Sequence, residues 1–351
     1  MQLKITTTTT TKAFDKVWHR GLLYKLNELN IPNYIIRYVA DFLSGRSFRV
    51  RVNDCHSLEN KINCGVPQGS VLGPLLFLIF INDIPLVRSK MKSYSSLFAD
   101  DLSSFFIFNK INKPLTKEVN KYLEDLVNWL AKWRMIMNAN KCCYTIFSKS
   151  GNKNNKFAKQ LRINLNLKGE LIPYNKEPVF LGITFDEYLC FNKHIEQLRK
   201  KSLIRINIIK ILSHSSWHLN KTTLVNIYKA LIGSLFNYSF FIIANVSQTN
   251  LDKLQIIQNK AIRTIFKLQK KYPNYLLFQV SNIAPVRERL IGLACKRSIS
   301  SLKNQNFAIL VNEYVRSISK YRKNQNVNTL FCLILPLISF TIFFFILKNH
   351  L

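Results

Sequence analysis

"SLFADDLSSFF", residues 96–106, sets two adjacent acids, Asp100 and Asp101, between two stretches rich in Phe, Leu and Ser. Apolar flanks of this kind suit two β-strands, and Asp is at home in the turn that joins them. A hairpin tip crowds both carboxylates into one small volume, where they repel each other unless a cation neutralises them. Mg²⁺ takes oxygen ligands and commonly binds through one or two carboxylates plus substrate phosphates. Two such ions stabilise the attacking and leaving oxygens of an in-line phosphoryl displacement. An ordinary acidic turn reads the same way from this stretch alone, so its neighbours must decide.

The chain is sparing with acids. Its 351 residues carry 51 Lys and Arg against 19 Asp and Glu, a formal charge of +32. An excess spread over the whole length points to an anionic polymer or surface, nucleic acid first, with an ordinary basic surface as the alternative. The length allows two or three domains with a proper core. The seven Cys show no paired spacing, which argues against a zinc ribbon or a disulfide framework and suits reduced thiols in an intracellular protein, nuclear or cytoplasmic. His214 and His218 stand one helical turn apart but lack the Glu of a metalloprotease helix.

The N-terminal "MQLKITTTTTTKAFD" has no signal-peptide core, and its Thr run, Thr6 to Thr11, is low complexity, although β-branched residues can still form a strand. Near the other end, "LFCLILPLISFTIFFFIL" runs uncharged from Leu330 to Leu347 behind Lys320, Arg322 and Lys323. That is just long enough for bilayer hydrocarbon and makes it a candidate single-pass tail anchor.

Between these ends the pattern is α+β and then helical. "VWHRGLLYKLNEL" and "NYIIRYVADFLSG" have helical apolar spacing, and "SFRVRVND" alternates like a strand with one basic face, Arg49 and Arg51. "GVPQGSVLGPLLFLIFINDI" is a Gly and Pro loop leading into a helix that is apolar nearly all round and so must be buried. Val119, Tyr122, Leu123, Leu126, Val127, Leu130 and Trp133 mark one face of an amphipathic helix, followed by strand signals in "NANKCCYTIFS" and "VFLGITFD". From about His194 the chain reads as basic helices.

Taken in order, these stretches resemble the motifs of reverse transcriptases, specifically those of jockey-like non-LTR retrotransposons. "KAFDKVWHRGLLYKL" resembles the end of motif A, "GVPQGSVLGPLLFLIFINDI" motif B, "FADD" motif C, "NANKCCYTIFS" motif D and "FLGITFDEYLCFNKHI" the primer grip. "LDKLQIIQNKAIR" looks like a thumb-side helix of the same elements. The resemblance implies a palm of antiparallel sheet and helices over residues 1–195, lacking most of the fingers. A helical thumb or connection region, 196–328, and the apolar tail, 329–351, follow.

Carried over by position, it implies that Asp100 and Asp101 hold the catalytic Mg²⁺, two ions in the family. Phe14, Gln68 and Gly69 would meet the deoxynucleoside triphosphate, in a loop from Gly65 to Gly69 where glycine lets backbone approach a ligand closely. Lys141 would protonate the leaving pyrophosphate, and Phe180, Leu181 and Gly182 would support the primer end. A core Phe, a helix-entry turn, a turn lysine and a short buried strand would each explain one of these residues, but not the collinear set. RNA template and DNA primer are the implied partners.

The pattern breaks in two places. The first catalytic Asp of the family lies four residues before Ala13, and that position here is Thr9, a neutral and poor ligand. Asp15 is no obvious substitute. The resemblance also implies fingers ahead of motif A, and this chain is expected to lack most of them. Together these imply a truncated, inactive copy, against which stand a non-catalytic nucleic-acid-binding remnant and a tail-anchored basic membrane protein.

Overall fold

The computed structural model describes residues 2–8, 13–85, 93–108, 113–147, 163–243 and 246–302. It divides into two compact units between Asn175 and Lys176, ahead of the palm boundary expected near 195. Helix and antiparallel sheet are mixed in the first unit, and helices dominate the second.

The first unit is organised on strand β1 (Gln2–Thr8), four of whose seven residues are β-branched. In the order of the chain there follow α1 (His19–Glu28), α2 (Asn33–Leu43), four two-residue strands β2 to β5 between Ser47 and Lys61, and α3 (Leu72–Ile81). Then come β6 (Ser93–Phe98), β7 (Asp101–Ile107), α4 (Lys113–Lys132), β8 (Cys143–Phe147) and the short hairpin of β9 (Asn166–Leu167) and β10 (Glu170–Leu171). One antiparallel sheet forms in the order β6-β7-β1-β8. The N-terminal strand is thus central, hydrogen-bonded on both edges.

Leu3, Ile5, Leu102 and Phe106 alternate onto the face that packs on helices. There the Phe106 ring meets Tyr122 of α4 edge-on at 5.9 Å, and the Tyr122 hydroxyl pairs with Ser104 at 2.8 Å. The all-apolar reading of α3 holds in its buried Leu76, Phe77, Phe80 and Ile81. Each such burial is worth about 1.5–3 kcal/mol. Lys25 of α1 is buried among them. Its ammonium donates to the Phe80 carbonyl and to Asp83 and lies 3.7 Å from the centre of the Trp133 ring. Burial pushes its pKa down while Asp83 opposes the shift.

The "SFRVRVND" stretch differs from its reading. It makes two short strands, β2 and β3, in a ribbon exposed on both faces. Arg49 pairs with Glu59 at 2.9 Å and Arg51 with Asp54 at 3.1 Å. The expected basic face is therefore neutralised by acids of its own ribbon, while Leu58 stands 88% exposed.

The second unit opens with the hairpin of β11 (Val179–Phe180) and β12 (Ile183–Thr184). Its helices are α5 (Asn192–Leu212), α6 (Lys221–Tyr228), α7 (Ser234–Tyr238), α8 (Phe240–Ile243), α9 (Gln248–Phe266), α10 (Leu276–Ser281) and α11 (Val286–Leu302). A π turn, Lys229–Gly233, links α6 to α7. Ile195, Ile209, Tyr228, Phe236, Leu254 and Ile262 lie in its core, where the Tyr228 hydroxyl donates to Gln258 at 2.9 Å. His194 is buried there, its Nδ1 accepting from the Thr184 amide and its Nε2 3.0 Å from the Ser239 hydroxyl.

Among the described residues no helix is long and apolar enough to cross a membrane. The Leu330–Leu347 segment lies outside the described residues, as does Thr9.

Candidate active site

The double acid stands at a hairpin tip, as its flanks imply. Phe98 pairs with Asp101 to close the turn, Ala99 and Asp100 make it, and Asp101 opens β7. Both acids are half-buried, reachable from solvent. Ala99 has φ +48°, the left-handed region usually given to Gly at this turn position, which costs a side-chain-bearing residue about 1–2 kcal/mol. Strain of that kind is tolerated where surrounding structure over-determines it. Here the antiparallel pairing of seven residue pairs between β1 and β7 supplies the constraint.

The register decides what lies beside the acids. Asp101 is the cross-strand partner of Thr8, the last described residue of β1. Cross-strand partners share a face, so Asp101, Ser103 and Phe105 stand on the same side of the sheet as Lys4, and opposite to Leu3 and Ile5. Lys4 pairs with Phe105 on one side and Thr145 on the other, and its ammonium lies 5.5 Å from the Phe105 ring centre. Burial lowers its pKa to about 7, against the opposing pull of Cys143 and Asp101. Nothing in the sequence pattern marked this lysine, because a charged residue in a strand normally reads as the solvent face.

A second constellation joins the turn at Phe14–Lys16 to the Gly loop. Phe14 sits in a 3-10 turn, Phe14–Lys16, with its ring stacked on Phe77 at 4.2 Å. Its carbonyl accepts from the Val66 amide, and the Gly65 amide donates to Val17. Gln68 Nε2 donates to Asp15 Oδ1 at 2.8 Å. The Gly65 carbonyl accepts from His19 and Arg46 at 2.8 and 2.7 Å. Gly65 has φ +85°, and a Cβ there would lie 2.7 Å from the Asp15 backbone, so no other residue fits. Phe14, Gln68 and the glycine loop are thereby brought together through Asp15, whose part in holding Gln68 the sequence did not signal.

The other residues are placed separately. Lys141 ends a 3-10 turn, Ala139–Lys141, that packs against β1, and it is exposed. Phe180, Leu181 and Gly182 form the tip of the β11–β12 hairpin in the second unit, with Leu181 and Gly182 both at positive φ. The Leu181 carbonyl accepts from the Tyr238 hydroxyl at 2.6 Å.

Hard carboxylate oxygens on Asp100 and Asp101 suit a Mg²⁺ ion. Among the described residues no group of three or more His, Cys, Asp or Glu gathers to hold a metal. The donor chemistry fits, and the donor count is one carboxylate short of the three that the resemblance implies.

Comparison with known proteins agrees with the resemblance to reverse transcriptases. A family model described as reverse transcriptase (RNA-dependent DNA polymerase) matches residues 4–185. The chain is 31% identical over 259 residues to the RNA-directed DNA polymerase from mobile element jockey of Drosophila funebris, covering 72% of this chain and 27% of that protein. It is 26% identical over 293 residues to the probable RNA-directed DNA polymerase from transposon BS of Drosophila melanogaster, covering 80% of this chain and 30% of that protein. The chain thus spans less than a third of the length of these relatives. Among solved structures it is similar to apo telomerase from Candida tropicalis, with 12% identity, a TM-score of 0.38 and coverage of 84% of this chain and 53% of that one.

Proposed function

This chain belongs to the reverse transcriptase (RNA-dependent DNA polymerase) family, and on that premise we propose that residues 1–195 are the palm of a jockey-like non-LTR retrotransposon polymerase and residues 196–328 its thumb or connection region. The reaction for which such a palm is built is RNA-templated DNA synthesis. A primer 3′-hydroxyl attacks the α-phosphate of a deoxynucleoside triphosphate, a new phosphodiester forms, and pyrophosphate leaves.

Asp100 and Asp101 would hold Mg²⁺, which would supply neutralisation of the charge that develops in phosphoryl transfer. Phe14, fixed by its stacking on Phe77, crowds the sugar 2′ position. Gln68, oriented by Asp15, and Gly69, where open space surrounds the backbone, face the nucleotide. Lys141 protonates the leaving pyrophosphate, and Phe180, Leu181 and Gly182 hold the primer end. The chain charge of +32 supports binding of template and primer.

The observation that carries this reading is the register: β1, which leads toward the first catalytic position, ends opposite Asp101. In the sequence that position is Thr9, and a Thr hydroxyl is neutral. Primer extension on an RNA template with Mg²⁺ or Mn²⁺ is therefore expected to be undetectable for the chain as it stands. Thr9→Asp is expected to tighten Mn²⁺ binding at least about tenfold, measured by calorimetry, and Asp100→Asn to cancel the gain. An unchanged affinity in Thr9→Asp would remove the acid pair from the assignment. Extension by the unmodified chain that is lost in Asp100→Asn would keep the site and show that Thr9 is tolerated.

A further inference from the structure

In the second unit an open groove of about 360 Å³ runs between α5 and α9. Glu196, Arg199 and Leu203 line it from α5, and Lys253, Ile256, Ile257 and Lys260 from α9. Both sets repeat at i, i+3 or i+4, and i+7, so each covers two helical turns, roughly 10 Å. Two parallel stripes of that length form the slot that a third helix fills in a bundle.

The chemistry of the slot is specific. Half-buried Leu203 makes an apolar floor over the buried Ile257, and Ile256 remains 65% exposed at its edge. Arg199 and Glu196 bond to each other at 2.8–3.1 Å, which cancels one positive charge. Lys253 donates to the neutral Asn250 side chain at 3.0 Å, Lys260 is exposed, and among the described residues neither is in an ion pair. Two cations seven residues apart therefore stand over an apolar floor.

We propose that this groove docks an acidic amphipathic helix of a partner protein. Its apolar seam would lie on Leu203 and Ile256, and two carboxylates seven residues apart would meet Lys253 and Lys260. A helix satisfies both the floor and the rim. A phosphodiester strand would satisfy the two lysines but leave the 65% exposed Ile256 against polar sugar. A second copy of this chain would bring another +32 charge to a cationic rim.

The full chain is titrated with a labelled helical peptide that carries a Leu seam and Glu pairs seven apart, and with a scrambled peptide of the same composition. The ordered peptide is expected to bind at least about tenfold more tightly. Lys253→Glu with Lys260→Glu, both at exposed positions, is expected to lower its affinity at least about tenfold, and Ile256→Ser about fivefold. Circular dichroism checks that each variant folds. Hydrogen-exchange protection is expected within Asn192–Leu212 and Gln248–Phe266. Equal binding of the scrambled peptide, or protection elsewhere, overturns the proposal. So does a single-stranded RNA oligonucleotide that displaces the peptide and itself weakens in the double variant, or a dimer in sedimentation that this variant dissolves.

Discussion

On one face of the four-stranded sheet Leu3, Ile5, Leu102, Phe106, Tyr144 and Ile146 lie buried in the helix-backed core, while on the other the same strands carry Lys4, Asp101, Ser103 and Thr145. The apolar face gains its free energy from burial. On the polar face Lys4 is desolvated, and the Ser103 hydroxyl is buried without a hydrogen-bond partner among the described residues, both of which cost stability. One face thus holds the unit together, and the other, which bears Asp101, sacrifices part of that stability to keep polar groups beside the acids.

The largest test strikes the apolar face. Phe106→Ala removes a fully buried ring that packs on Tyr122 and is expected to cost about 3–5 kcal/mol in denaturant unfolding. A loss below about 1 kcal/mol would mean that the helices do not lean on this face.

Lys4→Met tests the opposite face and should act in the opposite direction. Burial holds the folded pKa of Lys4 at about 7, against an ordinary value of 10.5. The unfolded chain therefore binds the extra proton between those values, and stability rises with pH across that window. Below pH 7 the penalty is present in full. Lys4→Met is expected to stabilise the first unit by about 2–4 kcal/mol at neutral pH and to flatten the slope between pH 7 and 10.5. An unchanged slope would mean that Lys4 is solvated.

His194 provides the same physics in the other unit and a different pH window. Burial, with Lys201 nearby, lowers its pKa from 6.5 to about 4. The unfolded chain takes up a proton first as pH falls, so stability drops from pH 6.5 toward 4, by about 2–3 kcal/mol. Thermal melts of His194→Gln should lose that acid slope while keeping the alkaline one. The smallest expected effect is Ser103→Ala, a gain of about 1 kcal/mol by removing an unpaired hydroxyl. A loss there would place an unseen partner on the polar face.

The hairpin, the buried character of α3 and the apolar stripe of α4 were legible because each depends on a short-range period or on turn chemistry. The acid pair was legible for the same reason, and collinearity gave it a family. At Arg49 and Arg51 alternation identifies a strand with one basic face, but it cannot say that Glu59 and Asp54 pair with the two arginines. Lys4 was missed because its burial depends on β1 being central, and nothing local to "QLKITTT" says that β7 and β8 will flank it.

By itself, then, the sequence determined the elements and the order of the motifs, since period, turn residues and strand propensity act within a few positions. The tertiary structure decided which groups meet. Asp15 holds Gln68 across 53 positions of chain, Thr8 comes to lie opposite Asp101, and the Leu181 carbonyl accepts from Tyr238 across 57. A hydrogen bond acts over about 3 Å regardless of separation along the chain, so the partners are selected by packing that no single stretch of sequence contains.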